Sequence, residues 1–126
     1  MKKLLYVAVM ALTMGLFASC GPRASIGREP EIDNTNATIN GVHYDNTEYA
    51  CWQFKWEWTE KENGTVTDQD SGVEFMWTTQ FEAQKVKAAF DYSHNVGASA
   101  YGQSYSLNGT STLTKTDHNE SNCGVE

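Results

Sequence analysis

Ala50-Cys51-Trp52-Gln53-Phe54-Lys55-Trp56-Glu57-Trp58 is the stretch that decides how this chain folds. Every second residue in it is apolar, and four of those five are aromatic, whereas the residues between them are mostly polar. Successive side chains of a β-strand point to opposite faces of a sheet. The alternation therefore predicts a strand over about 48–59 with one aromatic side that faces the core.

A second strand is expected to pair with the first. Asn63-Gly64 is the residue pair most typical of a two-residue hairpin turn. A second alternating segment predicts a partner strand over 72–78, after a polar stretch at 68–72 that is typical of a turn. The apolar residues of this strand are expected to share the core with the first strand, and they are Val73, Phe75 and Trp77.

Two helix-capping patterns lie close together in the middle of the chain. Ser71-x-x-Glu74 would begin a helix inside the second strand, so the sequence alone leaves helix or strand open for 73–78. Thr79-x-x-Glu82 begins a helix directly after that strand and keeps the alternation intact. We therefore predict a helix from 80 to about 92 that ends before Gly97. Its core-facing residues would be Ala83, Val86, Ala89 and Phe90.

The C-terminal third carries weaker strand signals. Residues 98–107 predict a strand with Tyr101, Tyr105 and Leu107 on one face, and Asn108-Gly109 predicts a turn before another strand over 110–116. The expected order is strand, strand, helix, strand, strand. This order predicts an α+β fold, a small antiparallel sheet of about four strands with one helix packed on a face.

The N-terminus has the pattern of an export signal. Lys2 and Lys3 precede an apolar stretch over 4–17, which is too short to span a membrane as a helix. Phe17-Ala18-Ser19-Cys20 then places two small residues before a cysteine. This segment resembles the signal peptide and lipobox of bacterial lipoproteins. An ordinary cleaved signal peptide with an incidental cysteine is the alternative.

The lipoprotein resemblance implies a location and a domain organisation. Residues 1–19 would be removed, and lipids including palmitate would be added to Cys20. Gly21, rather than Asp, after the cysteine implies anchoring in the outer membrane of a bacterial envelope, on its periplasmic or its surface side. The Pro- and Gly-containing stretch over 20–40 would be a flexible tether, and 41–126 a single small α+β domain.

The cysteine count predicts one disulfide. Once Cys20 is assigned to lipid, Cys51 and Cys123 remain, and two cysteines in an exported protein are expected to pair. A closed loop of this length stabilises a domain by about 4 kcal/mol at most in the chain-entropy model. Two free thiols are the alternative.

Charge and motifs exclude several functions. The chain has a formal net charge of −7, and without Lys2 and Lys3 it has seven basic and sixteen acidic residues, or −9, which disfavours nucleic-acid binding. Asp68-x-Asp70-x-Gly72 lacks the later ligands of a calcium loop, and the three histidines are scattered, so we expect no metal and no cofactor. Nucleophile-elbow and phosphate-loop motifs are missing from the sequence. A triad of Ser104, His94 and Asp91 can be composed, but any small protein offers such a set, so we expect no catalytic residues and no enzyme.

The remaining expectation is a binding protein. Trp58, Tyr101 and Tyr105, together with the acidic hairpin after Trp58, are the candidate binding surface for a protein or a glycan. We expect a small membrane-anchored interaction module of the immunity, inhibitor or accessory-subunit type. The alternatives are a glycan-binding module and, less favoured, a small hydrolase. Four Asn-x-Ser/Thr sequons also leave open a secreted eukaryotic glycoprotein; they begin at Asn36, Asn63, Asn108 and Asn119.

Overall fold

The computed structural model of the chain describes residues 23–26 and 28–124. The predicted signal peptide and the predicted lipidation site, Cys20, lie outside the described residues. Within these ranges eight strands and one helix follow one another. They are β1 (Arg23–Ile26), β2 (Ile32–Asp33), β3 (Thr38–Ile39), β4 (Val42–His43), β5 (Tyr49–Glu62), β6 (Thr65–Thr79), α1 (Gln80–Ser93), β7 (Asn95–Ala100) and β8 (Gln103–Lys115).

The strands form two antiparallel sheets. The larger has the order β1-β7-β8-β5-β6, and the smaller has the order β2-β3-β4. In the larger sheet Trp56 of β5 lies directly between Gly72 of β6 and Ser111 of β8. The prediction of an antiparallel sheet with one helix is confirmed, as is the strand-strand-helix-strand-strand order over β5 to β8. The larger sheet gains a fifth strand, and the smaller sheet was not predicted.

The smaller sheet corrects the expected tether. β2 and β3 lie within the range 20–40, and Ala37 and Ile39 are buried against Phe81 of the helix. Apolar contact with the helix therefore holds part of this segment in the domain, whose described packing begins before residue 41. Asn40 and Gly41 form the tight turn between β3 and β4, with φ of 51° and 81°.

The helix begins where the sequence predicts. The side-chain oxygen of Thr79 accepts a hydrogen bond from the backbone N–H of Glu82, which satisfies one free amide of the first turn. The helix ends at Ser93 with His94 as its C-cap, so the prediction of Gly97 as the stop is wrong, and Gly97 lies inside β7. Phe81 and Ala83 are the buried residues of the helix, whereas Val86 and Ala89 are exposed, contrary to the predicted face.

Two segments that were predicted to form turns lie inside continuous strands. The polar stretch 68–72 lies inside β6, where cross-strand pairing with β5 overrides its turn composition. Asn108-Gly109 lies in the middle of β8. A Cβ atom on Gly109 would lie 2.7 Å from the Cβ of His94, so glycine is required there because the end of the helix crosses closely over the strand.

A single bulge sets the register of the β5–β6 hairpin. Next to the Asn63-Gly64 turn, Lys61 pairs with Val66, but the next pair is Glu60 with Asp68, so Thr67 has no partner on β5. A one-residue shift moves every later side chain to the other face. Without the bulge Phe54 would lie opposite Val73; with it Phe54 lies opposite Glu74, and Val73 lies opposite Lys55.

The bulge overturns the predicted composition of the core. Val73, Phe75 and Trp77 pair with Lys55, Gln53 and Cys51, which face away from the helix. The prediction that they share a core with the tryptophans of β5 is therefore wrong. The residues of β6 on the helix side are instead Gly72, Glu74 and Met76, and the ring of Trp56 lies directly over Gly72.

Candidate functional site

The face of the large sheet that carries the helix is the aromatic core, and it includes Trp58. Trp52, Phe54 and Trp58 are all buried. The rings of Phe54 and Phe90 form an edge-to-face contact, with their centroids 5.7 Å apart. Trp58 is 7% exposed and its ring lies 6.3 Å from that of His94. Trp58 is therefore removed from the candidate binding surface.

The other two predicted surface residues differ from each other. Tyr101 is 85% exposed at the tip of the β7–β8 hairpin, with a φ of 53° that is uncommon for a bulky side chain. Tyr105 is half-buried, and its hydroxyl donates a hydrogen bond of 2.8 Å to Oε2 of Glu60. Tyr101 stays a candidate contact residue, whereas Tyr105 contributes to the interior.

Glu60 is a buried carboxylate that holds the bulge in place. It is 2% exposed, and its Oε1 accepts a hydrogen bond of 2.9 Å from the hydroxyl of Thr67, the bulged residue. With Tyr105 on Oε2, both carboxylate oxygens are satisfied by hydroxyl groups. A buried carboxylate left without such partners would be costly, so these contacts tie β5, β6 and β8 into one register.

The three residues of the composed triad are not brought together. Ser104 lies beside the hairpin tips, where its backbone N–H donates to Oδ1 of Asn63 at 2.7 Å. Asp91 accepts a hydrogen bond of 2.6 Å from Ser111 and forms an ion pair of 2.7 Å with Lys87. His94 Nδ1 lies 2.8 Å from the hydroxyl of Ser93 at the end of the helix.

The electrostatics of His94 follow from its position. Burial lowers the pKa of His94 below its ordinary value because the charged imidazolium loses its hydration. The carbonyl of Phe90 and the carboxylate of Asp91 act in the opposite direction. Stacking on Phe90, with ring centroids 4.0 Å apart, fixes the ring in the core.

The opposite face of the sheet has an open groove of about 420 Å³ across strands β8, β5 and β6. Trp56, Gly72 and Ser111 lie along its floor. Its walls combine one cation, one carboxylate, three hydroxyls and one apolar side chain, namely Lys55, Glu57, Ser71, Thr110, Thr112 and Val73. The register places all six of these wall residues on the face away from the helix.

The two charged side chains of this groove differ in their contacts with other groove residues. Thr110 donates a hydrogen bond of 3.2 Å to the carboxylate of Glu57. Lys55 makes no ion pair with any residue that the structure describes. The groove therefore offers a positive and a negative group on β5, with hydroxyls beside them on β6 and β8, to a polar ligand. Sequence reasoning missed this site, because its residues meet only when the register of three strands is known.

The C-terminal segment lies over the other half of the same face. The sulfur atoms of Cys51 and Cys123 are 2.11 Å apart, at disulfide-bonding distance. The ring of His118 stacks on Phe75 with centroids 6.1 Å apart, and Thr116 donates to the carbonyl of Cys51 at 2.9 Å. These contacts cover the part of the sheet next to Cys51 and leave the groove open beside it.

A second groove, of about 460 Å³, lies between the helix and the smaller sheet. Tyr44 and Tyr92 are among its lining residues, as are Arg28 and Lys87. Its charges are internally paired, since Arg28 lies 3.0 Å from Glu31 and Lys87 is bound to Asp91. It is the weaker candidate for recognition of a charged or polar group.

Membrane and metal features were also sought within the described ranges. No helix there is long and apolar enough to cross a membrane. Over the same residues, no group of three or more His, Cys, Asp or Glu side chains could hold a metal ion. Asp68 and Asp70, the start of the calcium-like pattern, lie in a strand rather than in a loop.

Comparison with known proteins gives a uniform result. No family model, no curated protein and no solved structure matches this chain.

Proposed function

We propose that the chain is a lipoprotein of a bacterial envelope whose domain is a non-catalytic, protein-binding module. The signal-peptide pattern and Cys20 support lipid anchoring in the outer membrane. The polar groove on the open sheet face carries the binding part of the proposal. An immunity or inhibitor protein, or an accessory subunit, is the type of module that these features fit.

Two features of the groove support a protein partner. It lies on three hydrogen-bonded strands, so binding needs little ordering of the site. Lys55 and Glu57 present opposite charges from neighbouring positions on one face, which favours a partner surface with a complementary pair. Tyr101 is an exposed aromatic residue that such a partner could also contact.

Glycan binding is the second candidate, favoured by the groove hydroxyls of Ser71, Thr110 and Thr112. Sugar rings, however, usually stack on aromatic side chains. Among the described residues, Tyr49 and Tyr101 are the exposed tyrosines, and they lie at opposite ends of a sheet whose strand β5 is about 46 Å long. They cannot act as one stacking platform, so a protein partner is favoured.

The anchor is tested by metabolic labelling. Labelled palmitate is expected to enter the wild-type protein and not the Cys20→Ala variant, and the variant should leave the membrane fraction. Absence of label from the wild-type protein, with Cys20→Ala still in the membrane fraction, would contradict the anchor.

The binding site is tested by cross-linking in the bacterial envelope followed by affinity capture. The Lys55→Ala/Glu57→Ala variant is expected to lose the cross-linked partner, because both groove charges are removed. Lys61→Ala/Glu62→Ala is the matched control, since it removes the same two charges from exposed positions beside the hairpin turn. Equal capture by the groove variant and the wild-type protein would exclude the groove as the site.

A further inference from the structure

Strand β6 is an edge of the large sheet, and no other strand that the structure describes pairs with its outer side. It is 15 residues long, or about 50 Å, and it lies at the end of the strand order. Alternate residues of an edge strand direct their N–H and C=O groups away from the sheet, where a further strand can pair with them. Proteins commonly protect such edges with charged side chains, proline, bulges or short length. Strand β6 has the bulge at Thr67 and three carboxylates but neither lysine nor proline, so negative charge is its main protection against a further strand.

The two faces of this edge have different chemistry. Asp68, Asp70 and Glu74 pair with Glu60, Trp58 and Phe54, so these carboxylates lie along the helix side. On the open face, Val66 and Val73 are 49% and 48% exposed. An incoming strand would therefore meet a negative row on one face and apolar side chains on the other.

A second copy of the chain fits this edge poorly. Two β6 strands paired antiparallel about Gly72 would place Asp70 of each opposite Glu74 of the other. Like charges directly opposite each other in a sheet are destabilising. The negative formal charge of the whole chain adds to this repulsion.

We propose that β6 binds an extended segment of a partner protein, which joins the sheet as an additional strand. The segment carries Lys or Arg at alternate positions, facing Asp68 and Glu74, and apolar residues between them, facing Val66 and Val73. Backbone hydrogen bonds supply the affinity, and the alternating side chains supply the specificity. This inference rests on the proposed protein-binding function and names the chemistry of the partner.

The test uses a synthetic ten-residue peptide in which Lys and Val alternate. Its binding to the whole mature protein, solubilised in neutral detergent, is measured by fluorescence anisotropy at low salt. Binding is expected, with backbone amides of Thr65–Thr79 becoming slower in hydrogen exchange. A peptide of the same composition with its lysines in one block should bind at least tenfold more weakly, because its side chains no longer alternate.

Two variants and one modified peptide separate strand addition from simple charge attraction. Asp68→Asn/Glu74→Gln should weaken binding about tenfold, whereas Glu62→Gln/Glu120→Gln, which removes the same charge from exposed positions elsewhere, should change it less than twofold. Methylation of every backbone nitrogen of the peptide should abolish binding. Equal binding of the methylated peptide, or no binding of the alternating peptide, would overturn the inference.

A failure of the β6 proposal can be distinguished from a failure of the proposed protein-binding function. If the alternating peptide does not bind but the groove variant loses its cross-linked partner, the protein-binding function stands and the β6 proposal fails. If neither the peptide nor a specific cross-linked partner binds, both proposals fail.

Discussion

The two faces of the large sheet are built from the same strands but are covered by different parts of the chain. One face packs Trp52, Phe54 and Trp58 against a 14-residue helix. The other has a polar groove on one half and a C-terminal segment, linked through Cys51, on the other half. The helix is about 21 Å long and β5 about 46 Å, so one helix cannot cover the whole sheet.

The difference depends on one residue. Because Thr67 is left out of the pairing, the aromatic residues of β6 face the C-terminal segment instead of the helix. The groove lies on the open face for the same reason, since Ser71 and Val73 reach it only in the shifted register. Core composition and candidate site are therefore both consequences of the bulge.

Insertion of one alanine after Gln69 should have the largest effect. With the present bulge kept, the extra residue would bring Val73, Phe75 and Trp77 to the helix side and turn the residues that now pack there outward. We expect a loss of more than about 5 kcal/mol, most of the stability of a domain of this size, and loss of the near-ultraviolet circular dichroism of the tryptophans. Deletion of Thr67 is the control, because it removes the bulge but leaves the pairing of all other residues unchanged. An insertion variant with a cooperative unfolding transition like that of the wild type would refute the importance of this register.

Removal of the disulfide, which lies on the open face, should have the next largest effect. The bond closes a loop with a sequence separation of 72, so Cys51→Ala/Cys123→Ala should lower the free energy of unfolding by up to about 4 kcal/mol. Urea denaturation measures the loss. The wild-type protein in reductant should lose a similar amount, and the variant should be insensitive to reductant. A variant as stable as the oxidised wild type would argue against the pairing.

The Glu60→Gln substitution tests whether the carboxylate of Glu60 stabilises the bulge. The amide has one acceptor oxygen in place of two, so the hydroxyl of either Thr67 or Tyr105 loses its present acceptor. We expect a loss of about 1–3 kcal/mol by denaturant unfolding. Glu62→Gln, an exposed neighbour, should change stability by less than about 0.5 kcal/mol. Equal effects of the two substitutions would show that Glu60 has no special role.

The pH dependence of His94 should give the smallest effect, confined to the helix face. Burial lowers the pKa of His94 in the folded protein below the value of 6.5 in the unfolded chain. The unfolded state then binds more protons, so stability is complete above about pH 6.5 and falls as the pH drops below it. His94→Gln should flatten this decline between pH 7 and 5, whereas substitution of the exposed His43 should not. An unchanged decline in His94→Gln would exclude this cause.

Local signals in the sequence predicted the elements well. The alternation over 50–58 gave β5, and Thr79 with Glu82 gave the start of the helix, because strand periodicity and helix capping depend on residues close in sequence. The order of elements followed from these signals. Asn63-Gly64 likewise forms a turn, with φ of 51° and 81°.

Features that depend on contacts between residues distant in sequence could not be predicted from local patterns. Asn108-Gly109 has the composition of a turn, but Gly109 is needed where the helix crosses β8. The bulge depends on the contact of Thr67 with Glu60, and no pattern around 67 distinguishes it from an ordinary strand residue. The candidate groove needs three strands in register, so it was beyond local reasoning, and Trp58 was misplaced because the packing of the helix was unknown.

Cross-strand nuclear Overhauser contacts between backbone protons of β5 and β6 distinguish the bulged register from a regular hairpin. The bulged register predicts that Gly72 contacts Trp56 and that Glu74 contacts Phe54. A regular hairpin from the same Asn63-Gly64 turn would instead place Ser71 opposite Trp56 and Val73 opposite Phe54. We expect the first set of contacts, and observation of the second set would contradict the bulged register and the assignment of residues to the two faces.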